Sequence, residues 1–120
     1  MNSDVLILYS RKGCCLCQTL EKKLSRICLD NLNPSIELSI VDIDSKTVSL
    51  DIQMKYTNEV PVIVLDSTRL LKKVELPRVS PRLKEDMLLS WIQKNLNILY
   101  KKVKENKQFF FLINFFIDFK

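Results

Sequence analysis

Arg11-Lys12-Gly13-Cys14-Cys15-Leu16-Cys17 separates an apolar run, Val5-Leu6-Ile7-Leu8-Tyr9-Ser10, from a segment of helical periodicity beginning near Leu16. Strand, tight turn, thiols and helix therefore follow one another directly. Gly13, the single glycine of the chain, stands where the backbone must turn sharply into the helix. Cys14 and Cys17 have C-x-x-C spacing, which on a helix places side chains on one face with Cβ atoms roughly 5–6 Å apart. A small adjustment brings such sulfurs into bonding range. Cys14 and Cys15, as sequence neighbours, lack that geometry, and Cys15 is expected to be a bystander. The helix start favours negative charge through its unpaired N–H groups and macrodipole, and Arg11 and Lys12 add cations just upstream. A cysteine so placed is expected to react as a thiolate at neutral pH, making Cys14 the attacking sulfur and Cys17 the resolving one.

The 120 residues suffice for one domain with a real core, and their 47% apolar content is that of a globular chain. A net charge of +5 could signal nucleic acid or a membrane surface, but the lysines and arginines are dispersed, and no nucleic-acid partner is expected. The absence of histidine removes the usual general base and the mixed Cys/His zinc set. Four cysteines, at 14, 15, 17 and 28, are clustered rather than spread to staple distant loops, and the short apolar run after Asp4 is not a signal peptide. A reducing cytoplasm is the expected compartment, where C-x-x-C beside a strand and a helix reads as redox-active.

From Leu16, apolar positions Leu20, Leu24, Ile27 and Cys28 recur at helical intervals, and Cys28 is expected in the core. Asn31, Asn33 and Pro34 end that helix. Ile36 to Ile43 alternates as a second strand. Asp44 or Ser45 is the expected cap of a second helix facing inward through Val48, Ile52 and Tyr56. Val62-Ile63-Val64-Leu65, the turn Asp66-Ser67-Thr68, and Arg69 to Glu75 form a hairpin. Ser80 and Pro81 supply an N-cap and first-turn proline for a last helix with Leu83, Met87, Leu88, Trp91, Ile92, Leu96 and Leu99 on its inner face. The order βαβαββα implies a four-stranded mixed α/β sheet with helices on both faces. The domain is expected to span residues 1–99. Residues 100–120 form a Lys/Phe-rich extension in which all six phenylalanines lie between Phe109 and Phe119. That apolar stretch is shorter than the ~20 residues a transmembrane helix needs, and docking, self-association, a membrane interface and an extension with no role all stay open for it.

Tyr9-Ser10-Arg11-Lys12-Gly13-Cys14-Cys15-Leu16-Cys17 after a strand, Val41-Asp42-Ile43-Asp44, and Glu59-Val60-Pro61-Val62 ahead of a strand resemble the glutaredoxin-like branch of the thioredoxin superfamily. Within it the chain is most similar to a family of small bacterial and cyanobacterial glutaredoxin-like proteins. The resemblance implies a thioredoxin-like fold over residues 5 to about 98 and a cis Val60–Pro61 bond lying against the Cys14–Cys17 pair. It also implies that the Val60 backbone pairs with the substrate. The expected activity is thiol–disulfide exchange by the Cys14/Cys17 dithiol, with no organic cofactor. The partner is a disulfide-containing protein or glutathione, and the protein is expected to be monomeric. The glycine pair and following acid that glutaredoxins use for glutathione have no counterpart between Leu70 and Val79. Arg11, Lys12, Arg78 and Arg82 remain as cations for its carboxylates, and Arg11, Lys12, Val60 and Pro61 are the expected substrate contacts. Two other readings stand beside this one: a soft-metal or iron–sulfur site built from Cys14, Cys15 and Cys17, and a non-catalytic redox sensor or adaptor on the same fold.

Overall fold

A computed structural model describes the backbone of residues 4–68 and 70–118, with side chains as far as residue 101. The elements are β1 (Asp4–Ser10), α1 (Cys15–Arg26), β2 (Ile36–Asp42), α2 (Leu50–Tyr56), β3 (Val62–Ser67), β4 (Lys72–Glu75) and α3 (Glu85–Asp118). This is the expected βαβαββα order. The sheet runs β2-β1-β3-β4. β1 pairs in parallel with β2, from Asp4 opposite Ile36 to Ser10 opposite Asp42, and antiparallel with β3, from Val5 opposite Asp66 to Tyr9 opposite Val62. β3 and β4 form the antiparallel hairpin.

The apolar run of β1 is continuous because both faces of this central strand are covered. Leu6 and Leu8 enter one core with Leu20 and Leu24 of α1 and with Leu88, Ile92 and Leu96 of α3. Ile7 and Tyr9 enter the other with Ile43, Tyr56, Val62 and Val64. There the Tyr9 and Tyr56 rings lie 5.4 Å apart, and burial, together with the Glu75 carboxylate that accepts the Tyr56 hydroxyl hydrogen bond at 3.1 Å, pushes the phenol up to about 12. Asp4, buried at the start of β1, accepts hydrogen bonds from the Thr68 N–H and the Tyr100 hydroxyl, which ties the hairpin turn and α3 to the sheet.

Several boundaries differ from the sequence expectation. Helix α1 ends at Arg26 with Ile27 extended (φ −77°, ψ 152°). The phase of the helix is lost there, so Cys28 lies exposed and Leu29, in a short 3-10 turn, takes the inner position. The inner face of α1 is Cys17, Leu20 and Leu24, whereas Leu16 is 57% exposed. Helix α2 is capped by Ser49, not by Asp44 or Ser45. Two turns intervene, closed by Ser45 N–H to Asp42 C=O at 3.0 Å and Val48 N–H to Ser45 C=O at 3.1 Å.

The hairpin turn reaches Leu71, which adopts φ 56°, so β4 starts only at Lys72, paired with Ser67. Arg69, the expected start of that strand, lies outside the described residues. Ser80 and Pro81 form a turn rather than the first turn of α3. Lys23 Nζ donates to the Pro81 and Leu83 carbonyls, which are thereby directed to α1. The helix starts at Glu85, and its Met87 is 53% exposed. Its backbone continues past the expected boundary at residue 99, and the side chains of the Phe-rich stretch lie outside the described residues. Among the described residues, no helix is long and apolar enough to cross a membrane.

Candidate functional site

Gly13 at φ 79° reverses the chain between β1 and α1, the conformation for which glycine has no steric cost. This turn makes Cys14 the N-cap residue of α1 (φ −90°, ψ 112°). Its carbonyl accepts the first helical bond, from Gln18 N–H at 3.0 Å, and its Sγ accepts the Cys17 N–H at 3.3 Å. Serine or aspartate oxygen ordinarily occupies such a cap. Here a sulfur does, held by an otherwise orphaned backbone donor in the position where the helix favours negative charge.

Cys17 is fully buried. Burial pushes its thiol up to about 11, helped by the thiol's hydrogen bond to Cys14 and the charge of that sulfur, whereas the Arg11 N–H and the Ser10 hydroxyl act in the opposite sense. The site therefore pairs a half-buried sulfur held at a helix cap with a protonated sulfur beneath it. Cys15 and Cys28 are both exposed. Among the described residues, no group of three or more cysteine, aspartate or glutamate side chains is arranged to hold a metal ion.

Arg11 serves the fold as well as the site. Its Nε and one terminal nitrogen grip both oxygens of Asp44, at 2.9 and 3.0 Å, and its terminal nitrogens donate to Thr57 C=O and Oγ1, both at 2.8 Å. The Asp44 hydrogen bond, above all, reinforces the positive form of the guanidinium. Lys12 is exposed and shares a cleft of about 290 Å³ with Gly13, Gln18, Glu21 and Asp42. Val60–Pro61 is cis, as is Asn33–Pro34, which the sequence did not suggest. The Val60 N–H donates to Tyr56 C=O at 3.2 Å. Pro61 lines a narrow cleft with Leu20, one turn beyond Cys17 on α1. Arg78, at the same cleft, donates to the carbonyl and carboxylate of Glu59.

Asp44 and Thr57 were not recognised from the sequence as parts of the site. Asp44 stood in a quoted motif but read as a cap, and nothing local encodes partners 33 and 46 residues from Arg11.

The profile of the Glutaredoxin-like domain family matches residues 5–93. No curated protein gives a significant match. A solved structure described as that of a malarial protein superposes with a TM-score of 0.52 at 20% identity, covering 78% of this chain and 97% of that one, and at that identity it speaks for the fold alone. With the four-stranded mixed sheet, the helix-capping Cys14 and the cis Val60–Pro61 bond in place, the fold is thioredoxin-like and the chain belongs to the glutaredoxin-like domain family.

Proposed function

We propose that this glutaredoxin-like domain is a thiol–disulfide oxidoreductase that transfers two electrons from the Cys14/Cys17 dithiol to a disulfide, acting as a monomer in a reducing, cytoplasmic compartment. The observation that carries the reading is the cap itself: Cys14 Sγ accepts the Cys17 N–H at 3.3 Å, and the Cys17 side chain lies fully buried one helical turn along. The sulfur that would attack a substrate is thereby fixed at the start of the helix, half-exposed and aligned with its resolving partner.

In the first step the Cys14 thiolate attacks one sulfur of the substrate. The substrate S–S bond breaks, a mixed disulfide forms, and the departing sulfur leaves as a thiolate. In the second, Cys17 gives up its proton to that thiolate and attacks Cys14 Sγ, forming the Cys14–Cys17 bond and expelling the second substrate sulfur. Cys17, protonated at rest, becomes easier to deprotonate at this stage. Burial, the largest effect that raises it, persists in the mixed disulfide, but the two effects of Cys14 vanish once Cys14 is neutral, while the Arg11 N–H and the Ser10 hydroxyl remain to favour the Cys17 thiolate.

The test compares alkylation of the four cysteines in the reduced protein at neutral pH, read by peptide mass. Cys14 should react ahead of Cys15 and Cys28 although both of these are more exposed, and Cys17 should be protected. In Cys17→Ser the mixed disulfide with substrate should accumulate, and in Cys14→Ser it should not form. Alkylation of Cys14 no faster than that of Cys28 would overturn the assignment.

A further inference from the structure

Beside the thiol pair lies a groove of about 350 Å³ lined by Arg11, Asp44, Leu50, Gln53, Met54 and Thr57, at the lower end of the size range of ligand sites. Arg11 joins it directly to the sulfurs. Its carbonyl accepts the Cys14 N–H at 3.3 Å, its own N–H faces Cys17, and its guanidinium forms part of the groove wall.

The polar groups of this groove are already engaged within the chain. Arg11 donates to both oxygens of Asp44 and to both oxygens of Thr57, and Gln53 Nε2 donates to the Ser45 carbonyl at 3.1 Å. The one cation is matched by the one anion, so the groove is electrically neutral. What it offers a ligand is apolar: Leu50 and Met54, one turn apart on α2 and 68% and 70% exposed. Side chains four apart share one face of a helix. Isolated exposed apolar residues are ordinary, but here two of them border the groove that begins at the redox loop. Methionine in particular adapts its shape to varied apolar partners.

Glutathione presents two carboxylates. Arg11 has no charge to spare for either, and the half-exposed Asp44 carboxylate opposes them. Arg78, at the Pro61 cleft, is likewise held by Glu59, and Lys12 shares its cleft with the carboxylates of Glu21 and Asp42.

We infer that this groove receives the uncharged, apolar flank of a protein disulfide, so that the Cys14/Cys17 pair acts on protein disulfides in preference to glutathione mixed disulfides. This rests on the oxidoreductase reading above and adds to it the class of substrate.

The experiment mixes the reduced full-length protein with one of four probes and follows formation of the Cys14–Cys17 disulfide by peptide mass. The probes are 4,4′-dithiodipyridine, a glutathionylated cysteine peptide, and two disulfide-linked peptides whose cysteines are flanked by leucines or by aspartates. The leucine-flanked peptide should oxidise the pair about tenfold or more faster than the glutathionylated one, a factor within what burial of one apolar side chain supports. In the Leu50→Glu/Met54→Glu variant that ratio should fall about tenfold, and in the milder Met54→Gln it should fall in the same direction. Equal or faster oxidation by the glutathionylated peptide, or a ratio unchanged in both variants, overturns the groove assignment. Failure of 4,4′-dithiodipyridine to produce the Cys14–Cys17 bond overturns the oxidoreductase reading, and the groove assignment with it.

Discussion

Gly13 and Cys17 are the residues on which the redox loop turns, and each makes a separate measurable claim. A Cβ at Gly13 would meet no atom within 4 Å, so Gly13→Ala costs only the backbone strain of a positive φ. That is about 1–2 kcal/mol, to be measured by urea unfolding, with Gly13→Asn cheaper because asparagine tolerates this region. Cys17 makes stability depend on pH. Its thiol is held up to about 11 in the folded protein against an ordinary value of 9.0. The folded state therefore keeps a proton that the unfolded chain releases, and the stabilisation is fully present below about pH 9 and lost as pH rises towards 11. For a group so fully buried this amounts to about 2–3 kcal/mol. Urea melts of the reduced protein should lose that much more between pH 8 and 11 than melts of Cys17→Ser, with the contribution of Tyr56 common to both.

The helices show how local signals fixed an element's existence better than its ends. The inward side chains expected from periodicity do belong to the second core, Ile52 and Tyr56 from α2 and Val48 from the turn ahead of its cap. Its cap lies further along because Asp42 and Ser45 close turns of their own. Ser49 Oγ accepts the Ile52 N–H at 3.4 Å, so Ser49→Ala should destabilise by about 1 kcal/mol, whereas Ser45→Ala leaves this cap intact. In α1 the spacing of apolar residues starts from Leu16 in the sequence, but Leu16 is exposed and Cys17 is the first inward position. Packing decided it: Leu20 and Leu24 enter the core with Leu6 and Leu8 of β1, and Cys17, three residues before Leu20, shares their face.

For the molecule as a whole, the sheet divides two cores, and α1 and α3 are packed on the same side of it. Ile92 lies fully buried between Leu88 and Leu96 in the larger core. Ile92→Ala should therefore cost about 2–5 kcal/mol. The exposed Met87→Ala, one turn earlier, should stay within about 0.5 kcal/mol of the parent. Urea or thermal unfolding of the two variants separates the face of α3 that holds the fold from the one that does not. Loss of stability in both would mean that α3 is buried on two sides.

The sequence by itself determined the succession of elements, the parallel first unit and hairpin, and the placing of Cys14 and Cys17 together at the start of α1, because each is written in short-range patterns: an unbroken apolar run, one glycine at a turn, and thiols one helical turn apart. Only the tertiary structure decided which cysteines face inward and what Arg11 does. Cys28 lost its place in the core when the helix ended two residues earlier. Arg11 found Asp44 and Thr57 because the parallel pairing of β1 with β2 and the antiparallel pairing of β1 with β3 bring the end of β1, the turn after β2 and the segment leading from α2 into β3 to the same end of the sheet. Contacts across that many residues depend on the order of strands, and no local periodicity carries that order.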